Sequence, residues 1–87
     1  MARYELRFRS TVSRDLRGIP AEDVRRILDR IETLKDDPRP SGSEKLSSQE
    51  RYRLRQGNYR VLYIVLDTDL VVEIVKVGHR RDVYRGP

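Results

Sequence analysis

The run Arg51-Tyr52-Arg53-Leu54-Arg55-Gln56-Gly57-Asn58-Tyr59-Arg60-Val61-Leu62-Tyr63-Ile64-Val65-Leu66 decides how this chain folds. Its first part alternates: Tyr52 and Leu54 face one way, while Arg51, Arg53 and Arg55 face the other. That is the pattern of a strand with one wet face. Gly57-Asn58 supplies a tight hairpin turn. From Tyr59 to Leu66 the residues are apolar on both faces except at Arg60, as expected of a central strand covered on both sides. Asp67-Thr68-Asp69 then turns the chain into Leu70 to Val77, again largely apolar, and Gly78 ends that strand. The result is a three-strand antiparallel meander.

Working outward, Tyr4, Leu6 and Phe8 alternate with Glu5, Arg7 and Arg9 and predict a half-buried N-terminal strand. Ser10 or Thr11 is placed to cap a short helix through Leu16-Arg17, which Gly18 would end. Pro20 suits the first turn of a second helix. Along that helix Val24, Ile27, Leu28, Ile31 and Leu34 recur at three- and four-residue spacing and form one apolar stripe. The breaker-rich loop Asp36 to Ser43 stops it, and Lys45-Leu46 is expected to anchor the loop to the core. The fold class is therefore α+β, a single domain over residues 1–87. One N-terminal strand and two helices precede the three-strand meander (β-α-α-β-β-β), with the helices packed on one face of a mainly antiparallel sheet. The other face holds the arginines.

Bulk properties narrow the function. The 87 residues carry a net charge of +5 and no cysteine, so neither a disulfide frame nor a thiolate metal site is available. No stretch approaches the length of a membrane span, and a soluble cytoplasmic protein is the expectation. Residues 1–19 hold five basic and two acidic side chains, residues 20–50 six and eight, and residues 51–87 eight and four. Positive charge thus gathers at the two ends, which points to a polyanionic partner.

The candidate site lies in the last third. Arg51, Arg53 and Arg55 share one strand face at a spacing of roughly 7 Å, close to the phosphate repeat of a nucleic-acid backbone. Charge placed to guard an edge strand is the competing explanation. Arg60 is costly to bury unless it is paired or used, and Glu73 on the neighbouring strand is its candidate structural partner. His79 is the lone histidine, the residue type most used for proton transfer at physiological pH. Arg80 and Tyr84 stack on one side if the tail makes a helical turn. One histidine and no clustered carboxylates leave no metal site and no cofactor. A cationic cleft with titratable groups and no metal ligands suits RNA.

The segments Arg53-Leu54-Arg55-Gln56-Gly57-Asn58-Tyr59-Arg60-Val61-Leu62-Tyr63 and Val75-Lys76-Val77-Gly78-His79-Arg80-Arg81-Asp82-Val83-Tyr84 resemble the RelE/ParE toxin superfamily. The order of elements matches over nearly the whole chain. The resemblance implies the toxin of a type II toxin–antitoxin pair, bound by a cognate antitoxin. Its RelE branch enters the ribosomal A site and cuts mRNA by attack of a 2′-hydroxyl on the adjacent phosphate. Carried over, Arg60 matches the strand arginine that neutralises phosphate charge. Arg80 matches the tail arginine that protonates or stabilises the leaving oxygen, and Tyr84 matches the tyrosine that orients the nucleotide. Arg53 and Arg55 stand where the family often has lysines, and with Arg51, Arg81 and Arg85 they are the expected RNA contacts. Arg55 takes the place of the presumed lysine base among the catalytic residues, but arginine holds its proton too tightly to be a good general base, so His79, ahead of Tyr84, is the candidate for that role. The ParE branch poisons DNA gyrase and cuts no RNA. Arg60, Arg80 and Tyr84 together favour the ribonuclease, while a toxin that only binds its antitoxin is the third reading.

Overall fold

The computed structural model describes residues 3–46 and 50–79. In chain order these form strand β1 (Glu5–Phe8), helix α1 (Ser10–Arg17) and helix α2 (Ala21–Glu32), which runs into a 3-10 turn at Thr33–Lys35. Strands β2 (Ser43–Lys45), β3 (Arg51–Gln56), β4 (Tyr59–Leu66) and β5 (Val71–His79) follow. They make one sheet in the order β1-β5-β4-β3-β2, parallel between β1 and β5 and antiparallel elsewhere. The α+β architecture read from the sequence is the one observed.

The apolar run of β4 lies at the centre of the sheet, but the expected cover on both faces is incomplete, since Leu62 and Ile64 are only half-buried. Val61, Tyr63 and Val65 meet Val12 of α1, Ile27 and Ile31 of α2, and Leu34 in one buried cluster with Leu54, Val72, Ile74 and Val77. The helices therefore cover one face. Among the described residues no helix is long and apolar enough to cross a membrane.

Three local expectations change. β2 is a fourth strand after the helices, where a loop anchored by Lys45-Leu46 is expected. It pairs Ser43, Glu44 and Lys45 with Leu54, Arg53 and Tyr52. Three polar residues on a sheet edge give no hydrophobic alternation to detect, and Leu46 beside them is 38% exposed. Neither Ser10 nor Thr11 caps α1. The N-cap is Arg9, because β1 passes straight into the helix: Arg9 N–H donates to the Ile74 carbonyl (3.0 Å) and the Arg9 carbonyl accepts from Val12 N–H (2.9 Å). Phe8 belongs by pattern with Tyr4 and Leu6, yet only those two pack on the core, and Phe8 stays 47% exposed.

β5 outlasts its partner β1, and α1 compensates. A bulge opposite Leu62/Tyr63 shifts the register so that Lys76 faces Leu62 and Ile74 faces Tyr63. Beyond it, the Val77 N–H has no β1 carbonyl to meet and donates instead to the Asp15 carboxylate at 3.1 Å. A buried N–H left without an acceptor would be costly, so Asp15 fixes α1 against the bulged end of the sheet.

The loop between α2 and β2 is tied down at the other end. The Tyr63 hydroxyl donates to the Pro38 carbonyl (2.8 Å), and burial pushes this phenol up to about 12. Arg39 donates to Asp67 (2.7 and 3.2 Å), to the Tyr52 hydroxyl (2.7 Å) and to Glu50. The Tyr4 hydroxyl joins through Asp67 (2.6 Å). One guanidinium thus links the loop to β3, the β4–β5 turn and the residue before β1.

Candidate nucleic-acid interface and active site

The face of the sheet away from the helices is built by alternation. With Tyr52 and Leu54 buried, Arg51, Arg53 and Arg55 project to the opposite side of β3. In β4 the same side receives Arg60, Leu62 and Ile64, while Val61, Tyr63 and Val65 enter the core. The register sets Arg55 opposite Arg60, Arg53 opposite Leu62 and Arg51 opposite Ile64. The three-arginine stripe and Arg60 therefore form one surface, as the sequence predicts.

Arg60 is only 7% exposed. Its Nη1 donates to the Tyr59 carbonyl at 3.3 Å, and on β5 its opposite residue is Gly78, which adds no side chain to cover it. The expected Arg60–Glu73 pairing fails on register. Glu73 lies opposite Ile64, four residues along the strand from Arg60, and its carboxylate takes Arg9 at 3.1 Å. Four residues of strand amount to roughly 13 Å.

Arg53, Arg55 and Arg60 line a shallow pocket of about 210 Å³ with Gly42 and Glu44. Glu44 accepts from Arg53 at 2.6 Å and holds that guanidinium at the rim. Two like charges directly opposite on neighbouring strands destabilise a sheet. An anion between Arg55 and Arg60 turns that repulsion into two attractions. The pocket is suited to a phosphate. Gly42 (φ +96°) and Glu44 are members that the sequence did not reveal, because they arrive on the short strand β2 and the loop before it. A lone acidic residue between Ser43 and Lys45, just after a breaker-rich loop, carries no signal of its own.

His79 is not brought into this pocket. Its ring lies 5.9 Å from that of Tyr59, the two planes at 80°. Tyr59 faces α2, donating to the Asp23 carboxylate at 3.2 Å, and its phenol is raised by burial and then by the Asp23 charge. Tyr59 and Arg60 are consecutive in a strand, so their side chains leave opposite faces. His79 consequently stands round the sheet end from Arg60. Arg80, Arg81, Tyr84 and Arg85 lie outside the described residues.

Known proteins share this fold. Residues 6–84 match the family model described as the ParE toxin of the type II toxin–antitoxin system parDE. RelE1 of Methanocaldococcus jannaschii is 32% identical, the match covering 98% of this chain and 99% of that protein. Toxin RelG of Mycobacterium tuberculosis is 31% identical over 94% of this chain and 97% of RelG. Among solved structures, a chain of the archaeal RelE–RelB complex from Pyrococcus horikoshii superposes with a TM-score of 0.78 at 28% identity, covering 99% of this chain and 100% of that one. The chain belongs to the RelE/ParE superfamily of type II toxin–antitoxin toxins.

Proposed function

We propose that this toxin is a ribosome-dependent endoribonuclease that cuts mRNA in the A site and so stops translation. The observation that carries the reading is the Arg55–Arg60 pair, opposed across β3 and β4 in a pocket of phosphate size. In the reaction the 2′-oxygen attacks the adjacent phosphorus and the bond from phosphorus to the 5′-oxygen breaks. The products are a 2′,3′-cyclic phosphate and a 5′-hydroxyl. Negative charge builds on the non-bridging oxygens, and a guanidinium fixed by burial stabilises it without reorganising first. Arg60 has that position, with Arg55 as the second clamp. Arg51 and Arg53 extend the grip along the RNA backbone, and Arg81 and Arg85 add to it.

The proton transfers fall to other groups. Arg80 serves the leaving oxygen. The 2′-hydroxyl proton needs a base, and the placement of the His79 ring beside Tyr59 favours Tyr84 for that task. A ribosome that aligns the nucleotide supplies much of the rate by itself, since holding the attacking and reacting atoms in line is worth several powers of ten.

Primer extension on a defined mRNA in a purified translation system, with and without ribosomes, tests the reading. Ribosome-dependent cuts within A-site codons are expected, and Arg60→Ala should lower them by about 10²–10³. Intact mRNA with wild-type toxin would sink the proposal, and inhibition of gyrase supercoiling in parallel would establish the other branch of the superfamily.

The same surface accounts for silencing. A cognate antitoxin with an acidic or amphipathic segment is expected to cover the arginine face, as an anion-rich partner complements its positive charge. Hydrogen exchange on the complex should show protection at residues 51–60. Unchanged exchange there would place the antitoxin elsewhere.

A further inference from the structure

We infer that the corner between Tyr59 and His79, at the hairpin end of the sheet, is a subsite for an unpaired RNA base adjoining the Arg55–Arg60 phosphate pocket. The inference rests on the ribonuclease reading and adds to it a source of nucleotide preference. Two rings 5.9 Å apart at 80° form a corner, not a slot. A base stacked on the inner face of one of them brings its edge toward the other.

Around that corner is a cavity of about 300 Å³ lined by Asp23, Arg26, Gln56, Asn58, Tyr59 and His79. Its polar groups are those that read base edges. Gln56 and Asn58 carry carboxamides, each both donor and acceptor, and Asp23 adds an acceptor. Single-stranded RNA is recognised through stacking on aromatic rings with hydrogen bonds to the exposed base edge.

The path from the phosphate pocket is short. Gln56 follows Arg55 and pairs with Tyr59 across the hairpin, so the corner begins one residue beyond the Arg55–Arg60 pair. Gly57 leaves the space above the turn open, with nothing within 4 Å of where a Cβ would stand. Gly78 likewise adds no side chain beside Arg60. A nucleotide with its phosphate between the two arginines can turn its base over this end of the sheet. Packing of Tyr59 on α2 explains the Tyr59–Asp23 hydrogen bond. It does not explain why two carboxamides and an imidazole converge at the same rim.

Titration of the full chain with AMP, GMP, CMP and UMP, followed by NMR at the Gln56 and Asn58 side-chain amides and the His79 ring, tests the subsite. Ribose 5-phosphate serves as the probe without a base. Nucleotides should move these signals beyond the ribose 5-phosphate response, with apparent affinities that differ by about fivefold or more between bases, the discrimination of one good base contact. Gln56→Ala should flatten that difference while the phosphate-dependent shifts of Arg55 persist. Identical responses to all five probes, or none at Gln56, Asn58 and His79, would overturn the subsite. The two readings fail separately. Base-dependent binding by a toxin that leaves ribosomal mRNA intact would remove the nuclease and keep the subsite, whereas cutting by a base-blind protein would remove the subsite alone.

Discussion

Arg39 and Arg60 sit at opposite ends of one sheet and show two uses of the same side chain. Arg39 is surrounded by opposite charge: it bonds Asp67 and Glu50, reaches the Tyr52 hydroxyl and lies 5.3 Å from the Tyr52 ring centre. These contacts hold its guanidinium far above the range in which it could lose a proton. Arg60 is the more deeply buried, yet its directly opposite neighbours are another arginine and a glycine. At one end charge is spent on joining loop to sheet. At the other, two guanidiniums stand opposite each other across β3 and β4 and line one pocket.

The same substitution at both positions separates the two uses. Arg60→Met should reduce ribosome-dependent cleavage by about 10²–10³. Its urea midpoint should change little, because an apolar side chain of similar volume fills the site while removing both the opposition to Arg55 and the bond to the Tyr59 carbonyl. Arg39→Met should do the reverse. Its side chain is 36% exposed, so solvent weakens each ion pair, and the loss is about 1–2 kcal/mol of stability with cleavage per folded molecule near wild type. A stable, inactive Arg39→Met or an unfolded Arg60→Met would invert the assignment.

The two ends were also unequally legible. The Arg60 end follows from alternation in residues 51–66: period-two patterning fixes which side chains share a face, and a lone charge in an apolar run is conspicuous. Its register with β5 was not legible, because the bulge opposite Leu62/Tyr63 displaces the partners and removes Glu73 from reach. The Arg39 end follows from nothing local. Its members come from positions 4, 39, 50, 52 and 67, which only the tertiary fold assembles. His79 shows a third kind of limit. Residue type gave its chemistry, but the side of the sheet end on which the ring settles depended on packing against Tyr59.

Acid should expose the difference between the ends. Arg39 chiefly holds the Asp67 carboxyl below its ordinary value, and Lys45, then Arg39, do the same for Glu50. Carboxyls lowered in the folded state contribute stability that is fully present above the usual carboxylate range, near pH 4. That stability is lost as pH falls through the depressed folded values. Urea midpoints should therefore drop below about pH 4, and Arg39→Met should flatten that drop. Arg60→Met should leave it unchanged, since the lowered carboxyls, Asp67 and Glu50, owe their shifts to Arg39, Tyr4 and Lys45. An equally steep acid limb in Arg39→Met would locate the acid-sensitive pairs elsewhere.

The turns at the two ends make the finest form of the comparison. At the Arg60 end Gly57 takes φ +59° in open space, a conformation glycine adopts without penalty, and Gln56 and Tyr59 close the two-residue hairpin beside it. At the Arg39 end Leu70 takes φ +54°, where a side chain crowds its own backbone at a cost of about 1 kcal/mol. Leu70 is 40% exposed, so it recovers little by burial, yet its carbonyl must accept the Glu5 N–H at 2.8 Å to seat β1 beside β5. The Arg39–Asp67 bonds hold the turn in that shape. Leu70→Gly relieves the crowding but frees the unfolded chain, so the net gain should be small, about 0.5 kcal/mol by urea denaturation. The gain should persist in Arg60→Met and shrink in Arg39→Met, where the clamp that enforces the strained turn is gone and the turn relaxes by itself. Equal gains in all three backgrounds would mean that the turn is set by the strands alone and that Arg39 ties down only the loop before β2.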